Sequence, residues 1–168
     1  YQQTPAERQH NRTLRSPWWA RVTRNTLDLA TYTLPELLNE RLAEQGADYS
    51  VLFPNDVLAP LAAGNEFRQP LHRAINHFHA DQYRKYSDRL TPVAGIPLNT
   101  PQEGIEELEF AVKTLGLKVI NIAGGVKRPI KAVADKYPAA DHPDVAKHAS
   151  YIDFYGIDSE YDYDPFWA

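Results

Sequence analysis

The chain has 168 residues, a formal net charge of −4 and a pI near 5.8. This suits one domain and argues against a nucleic-acid surface, because the eighteen Lys and Arg are scattered rather than clustered. The lack of cysteine excludes a disulfide framework and thiol chemistry and is compatible with a cytoplasmic location, and no apolar run or signal-peptide pattern points to a membrane.

The chain contains no methionine, so Tyr1 is not read as a translation start, and a segment is expected to lie upstream in the gene product or to have been removed. Tyr1 to Arg15 is polar and without periodicity, which predicts a flexible loop or arm. Trp18 and Trp19 follow, read as a packed anchor in preference to a pocket wall because large rings are usually recruited for buried area.

From Thr33 a helix–glycine–strand order is written in the sequence. Thr33 and Glu36 have capping-box spacing, and Leu34, Leu37, Leu38 and Leu42 form an apolar stripe. Gly46 stops the helix, and Ala47 to Phe53 reads as a strand. After a break at Gly64 and Asn65, Gln69 to Arg89 predicts a long amphipathic helix. Its apolar side is Leu71, Ala74, Ile75, Phe78, Tyr83 and Tyr86, with Pro70 in the first turn.

The stretch from Arg89 to Gly125 carries the strongest signal. Two apolar runs, Pro92–Leu98 and Leu117–Ala123, flank a segment with helical spacing, the pattern of a parallel strand–helix–strand crossover. Thr100, Pro101 and Glu103 supply a capping box with proline in first position. Ile105, Leu108, Val112 and Leu115 form the apolar stripe, Glu103, Glu106 and Glu107 lie off it, and Glu109 is placed to pair with Lys113. Gly116 ends the helix. Both strands read as covered on two faces, as parallel strands are. Three strands separated by helices make a piece of parallel sheet, and right-handed crossovers put the helices on one outer face if the sheet closes into a barrel.

After Gly125 the pattern loosens, with a short helix within Lys127–Tyr137, a loop over Pro138–Pro143 and a mixed, helix-compatible stretch over Asp144–Tyr155. Asp164 and Pro165 read as a helix cap and first residue. Only three residues follow, so the end is expected to be a cut within a helix's first turn, unstable by itself.

Candidate chemistry is sparse. His77 and His79 lie within a helix, where residues two apart point to nearly opposite sides, so they and His72 are read as solvated helical residues rather than ligands. Asp158, Glu160, Asp162 and Asp164 lack the glycine of a calcium loop and read as a solvated turn with a helix cap. Gly124 and Gly125 with Lys127 and Arg128 form a weak anion-site pattern, weighed against an ordinary glycine turn. No nucleophile elbow, phosphate loop or dinucleotide fingerprint is present.

Three stretches carry a resemblance: PWWARVTRNTLDLATYTLPELLNERLAEQGADYSVLFPN, DRLTPVAGIPLNTPQEGIEELEFAVKTLGLKV and IDSEYDYDPFWA. Together, over roughly Ser16 to Ala168, they resemble the amidohydrolase-2 (amidohydrolase-related) family, the group of aminocarboxymuconate-semialdehyde decarboxylase and γ-resorcylate decarboxylase. The resemblance implies a metal-dependent (β/α)8 TIM barrel, with zinc or manganese, that hydrolyses or non-oxidatively decarboxylates small, often aromatic, carboxylated substrates. Dimers are common in that group.

The chain is short of the roughly 250 residues of a whole barrel. By this resemblance, residues 16–168 correspond to the second to fourth βα units, incomplete at both ends, and the family's metal ligands fall outside them. What remains are pocket-wall candidates at the carboxyl ends of three strands: Asn55 and Asp56, Asn99, and Asn121 with Gly124. Turn and cap chemistry is the plainer reading of the same residues. The implied partners are a small-molecule substrate, the remainder of the polypeptide or a companion chain, and a second copy in a homo-oligomer. The alternative is a non-catalytic α/β domain of the same shape that binds a ligand or partner.

Overall fold

A computed structural model describes residues 4, 6, 7 and 10, 26–54, 65–156 and 159–168. Most of the expected arm, the Trp18–Trp19 pair, Asn55, Asp56, Gly64 and Asp158 lie outside the described residues. Within the stretch read as an arm, Thr4 and Glu7 form a reciprocal capping box, with Thr4 N–H donating to Glu7 Oε2 at 2.6 Å and Glu7 N–H to Thr4 Oγ1 at 3.3 Å. The chain divides into two units, Tyr1–Asp48 and Tyr49–Ala168.

In the first unit, α1 (Thr26–Thr31) and α2 (Pro35–Arg41) are joined by a tight turn, and a 3-10 turn over Leu42–Gln45 extends α2. The capping box expected at Thr33 does not form. Thr33 Oγ1 donates to Leu29 O at 2.8 Å, closing α1, while α2 starts at Pro35 behind Leu34 with no side-chain cap. Proline's fixed φ sets the start, so the hydroxyl is left to the preceding helix. Leu34, expected in the buried stripe, is exposed. Gly46 ends the segment in the left-handed region, φ 72°. Arg41 ties the two helices, donating to Thr31 Oγ1 and pairing with Asp28 at 3.2 Å.

The second unit is built on a three-stranded parallel sheet in the order β1 (Ser50–Leu52), β2 (Leu90–Ile96), β3 (Val119–Ile122). The register pairs Ser50 with Leu90 and Val93 with Val119. β1 is shorter than its apolar run, bounded by Pro54, which has no N–H to give to a ladder. Every residue of β2 is buried, whereas β1 and β3 are only partly covered. The expectation of two covered faces therefore holds for the central strand, and β3 falls short because it is an edge among the described strands.

Helices α3 (Asn65–Tyr83) and α4 (Pro101–Glu109) pack against each other and both against β2, one helical layer over the sheet. Helix α3 begins four residues before the predicted start, so Pro70 is inside it rather than in its first turn. It also inverts the predicted polarity. The buried face is Arg68, His72, Asn76, His79 and Ala80, while Phe67, Leu71 and Phe78 are exposed. His72 and His79 are thus buried, not solvated; His77 does face solvent, 3.2 Å from Asp81. The cause lies in α4, which meets α3 with acids: Arg68 donates to Glu103 at 2.8 Å, Arg73 Nε to Glu107 at 3.0 Å, and Asn76 Nδ2 to Glu107 at 2.8 Å.

Glu107, expected on the charged outer face, is 0 % exposed. Burial raises its carboxyl above the ordinary value, with Asn76 and Arg73 pulling the other way. Asn76 also holds both backbone groups of Gly95, accepting from its N–H at 2.8 Å and donating to its C=O at 2.9 Å. Thr100 caps α4 as predicted, accepting from Glu103 N–H at 3.2 Å, but the Glu103 carboxylate faces Arg68 instead of completing the box. Past Glu109 the helix widens into a π turn, Phe110–Thr114, closed by Leu115 N–H to Phe110 O at 3.1 Å. The extra residue rotates the stripe, so Ala111 is buried and Val112 is 47 % exposed. Lys113 and Glu109 pair at 2.7 Å, and Gly116 takes the left-handed φ of 71°, both as expected.

The remainder holds α5 (Lys131–Lys136), α6 (Pro143–His148), α7 (Asp164–Trp167) and an antiparallel pair, β4 (Val126–Pro129) with β5 (Ser150–Asp153). The sequence reading missed this second sheet, because β5 alternates too little to separate it from the helix before it. Gly125 is required by the pairing: a Cβ there would meet Ile152 Cγ2 at 2.6 Å and Asp153 O at 2.8 Å. Asp164 is not the cap of α7; Asp162 accepts its N–H at 3.0 Å. The single turn persists because Phe166 is buried against Gly104, where a Cβ would come within 2.9 Å of its ring. The core joins Ala94, Ile96 and Leu98 to Ala111, Leu117, Val126, Tyr155, Tyr163 and Phe166. Among the described residues no helix is long and apolar enough to cross a membrane.

Candidate functional site

In a parallel sheet the strand carbonyl ends and the helix N-termini that follow them converge on one edge, where binding groups are held on loops by a rigid frame. Here that edge carries the residues after β2, the end of β3, and the first turn of α4. Asn99 follows β2 and is half-buried; Asn121 lies within β3, opposite Gly95 in register; Gly124 is exposed, with nothing within 4 Å of where its Cβ would be. The sheet brings these three to the same edge.

The densest polar cluster there centres on Arg128. Its Nε donates to Asp153, and its Nη2 donates to Asn99 O at 2.9 Å and to Tyr163 Oη at 2.8 Å. Nη1 lies 3.6 Å from Glu160, and the guanidinium sits over the Tyr161 ring. Tyr163 in turn donates to Leu98 O at 2.9 Å. The other partners of Asp153 are Ser159 Oγ at 2.7 Å and Tyr155 N–H at 2.9 Å. Burial pushes the Asp153 carboxyl up, but these hydrogen bonds together outweigh it and hold the group below its ordinary value. The cluster clamps the β4–β5 pair onto the carboxyl end of β2.

Arg128 is withdrawn from the anion-site reading of Gly124 to Arg128, being buried and paired with Asp153. Lys127 is exposed, its Nζ donating to Lys147 O at 3.2 Å.

Among the described residues, two buried polar atoms at this end have no hydrogen-bond partner. One is the phenol of Tyr155, whose backbone is held at φ 64°, a left-handed position for a residue with a Cβ. Burial, with the Tyr163 phenol 5.1 Å away between ring centroids, pushes its pKa up to about 12. The other is Glu103 Oε2, on the first turn of α4. Near it, His72 donates Nδ1–H to Arg68 O at 2.9 Å, and burial lowers its pKa, favouring the neutral ring.

Sequence reasoning missed Asp153, Tyr155, Tyr163 and the Arg68–Glu103 pair. A buried acid in a short strand and a tyrosine inside an acidic run have no periodic signature. Among the described residues no group of three or more His, Asp or Glu could hold a metal ion. Set beside known sequences, the chain matches no protein-family model and no curated protein.

Proposed function

We propose that this chain is part of a (β/α)8 barrel of the amidohydrolase-related kind, acting on small, often aromatic, carboxylated substrates by hydrolysis or non-oxidative decarboxylation. The observation that supports this reading is the sheet order. Among the described residues the three parallel strands are neighbours in sequence order, and helices α3 and α4 between them share one layer, as barrel staves do. In this proposal Asn99, Asn121 and Gly124 form pocket wall at the carboxyl edge, and the Arg128–Asp153–Tyr163 clamp positions Asn99 through its carbonyl.

A divalent zinc or manganese ion in such an enzyme polarises a substrate oxygen or activates water. The described residues do not make a site for it, and the resemblance assigns its ligands to residues outside this chain. The second reading, a non-catalytic α/β domain, is favoured by one fact: the charged groups of the clamp are spent on one another.

The test is intact mass and elemental analysis of the native protein, with CO2 release and hydrolysis assayed on hydroxybenzoate-type acids. A native polypeptide or complex carrying stoichiometric zinc or manganese and turning over such acids supports the enzyme. A metal-free 19.1 kDa species inactive on all of them supports the binding domain.

A further inference from the structure

The β4–β5 pair has two unlike faces. Val126 and Asp153 stand opposite each other and are buried, and Arg128, two residues past Val126, joins Asp153 in the clamp. Side chains alternate along a strand, so the neighbouring pair, Lys127 with Ile152, stands on the other face. The same alternation brings Phe154 to that face, opposite Gly125. A Cβ on Gly125 would meet Ile152 Cγ2 at 2.6 Å and Phe154 Cδ1 at 3.2 Å, so both side chains close over bare backbone.

That face is open. Phe154 is 74 % exposed, more than any other large apolar side chain among the described residues; Ile152 is 49 % exposed, and Lys127 beside it is exposed. A phenylalanine presents about 200 Å² in full, so this ring alone offers roughly 150 Å² of apolar floor. Lys127 stands at one end of the floor. Its Nζ gives one N–H to Lys147 O at 3.2 Å, and an ammonium has two more to give. Two residues along a strand span about 7 Å, roughly the length of a benzoate ion. A ring laid on Phe154 and Ile152 therefore brings a carboxylate to the Lys127 ammonium. A simple anion has no use for the floor, and an uncharged ring has none for the cation.

We propose that Phe154, Ile152 and Lys127 form a subsite for a small aromatic acid, the ring lying on Phe154 and Ile152 and the carboxylate on the Lys127 ammonium. The identity of this occupant rests on the enzymatic reading above. Gly125 directly follows Gly124, so the subsite adjoins the pocket wall assigned there. Contact comes from one side only, which sets Kd for benzoate on the order of 10 mM.

The test is a titration of the 15N-labelled whole chain with benzoate to about 50 mM, followed by amide chemical shifts, with acetate and benzyl alcohol as controls. Benzoate is expected to move Gly125, Lys127, Ile152 and Phe154, and each control to bind at least three-fold more weakly. Phe154→Ala and Lys127→Gln, both at exposed positions, should each weaken benzoate at least three-fold with unchanged circular dichroism, while Lys127→Arg stays within two-fold of the parent. The subsite is overturned if acetate or benzyl alcohol matches benzoate, or if Phe154→Ala or Lys127→Gln binds as the parent does. Benzoate shifts confined to Asn99 and Asn121 overturn it and leave the enzymatic reading standing. No shift anywhere also overturns it, and the enzymatic reading falls with it only if the native protein turns over none of the acids.

Discussion

Replacing Asn76 with Ala tests the interior of the α3–α4–β2 layer. The carboxamide makes three buried hydrogen bonds, two to the N–H and C=O of Gly95 and one to Glu107. Alanine orphans both peptide groups of a strand that has no exposed residue, at about 1–3 kcal/mol each, and removes one of the two side-chain partners of a buried carboxylate. The expected loss is about 3–5 kcal/mol, lowering Tm by roughly 6–20 °C for a chain of this size. Urea unfolding at 25 °C with an unchanged m-value measures it. Asn76→Asp keeps the acceptor for Gly95 N–H but sets a second carboxylate against Glu107 and Gly95 O. It should be no more stable than the alanine variant at pH 7 and should recover in acid. An alanine variant within about 1 kcal/mol of the parent, or an aspartate variant equal to the parent at pH 7, refutes the reasoning.

Glu107→Gln removes a titration. Burial raises the Glu107 carboxyl above 4.5, so its contribution to stability is whole below pH 4.5 and is lost as pH rises through the raised value. Relative to the parent, the Gln variant should therefore gain stability between pH 4 and 7 in urea midpoints; a flat or opposite trend counts against the assignment. Asp153 has the opposite sign, losing stability as pH falls through its lowered value, and cancels in this difference because both proteins keep it. Gly125→Ala should cost about 1–3 kcal/mol and speed amide exchange in β5, because the Asp153 carbonyl in its way is backbone, while Gly124→Ala, with nothing within 4 Å, should be neutral. Tyr155→Phe removes a buried hydroxyl without a partner, so stability should hold or rise by up to about 1 kcal/mol. The alkaline ultraviolet titration should lose its step near pH 12; a loss of more than 1 kcal/mol would mean the phenol is bonded.

What was legible in the sequence followed local rules. Thr100, Pro101, Gly46 and Gly116 marked helix ends through backbone geometry that needs no partner, and the apolar runs around Val93 and Ile120 gave a parallel three-stranded sheet. The polarity of α3 was illegible for a physical reason. Periodicity locates an apolar face and assumes that it is the buried one, but here Glu103 and Glu107 reward Arg68, Arg73 and Asn76 for facing inward. The π turn broke the stripe at Val112 in the same way, since a fixed 3.6-residue period does not accommodate an added residue. At the carboxyl edge the position of Asn99 was legible because it directly follows a strongly apolar strand. Asp153 and Tyr163 were not, because their meeting depends on a strand pair formed across the intervening α5 and α6.

The grip of Asn76 on Gly95 reaches beyond stability. A peptide N–H has a single hydrogen to give, and that of Gly95 is already taken by a helix side chain. Any strand arriving to lengthen the ladder at this point must first evict the carboxamide, which would in turn strip the Glu107 carboxylate. Lengthening of the ladder along this central strand is therefore blocked at one rung, by a helix side chain rather than by the strand itself.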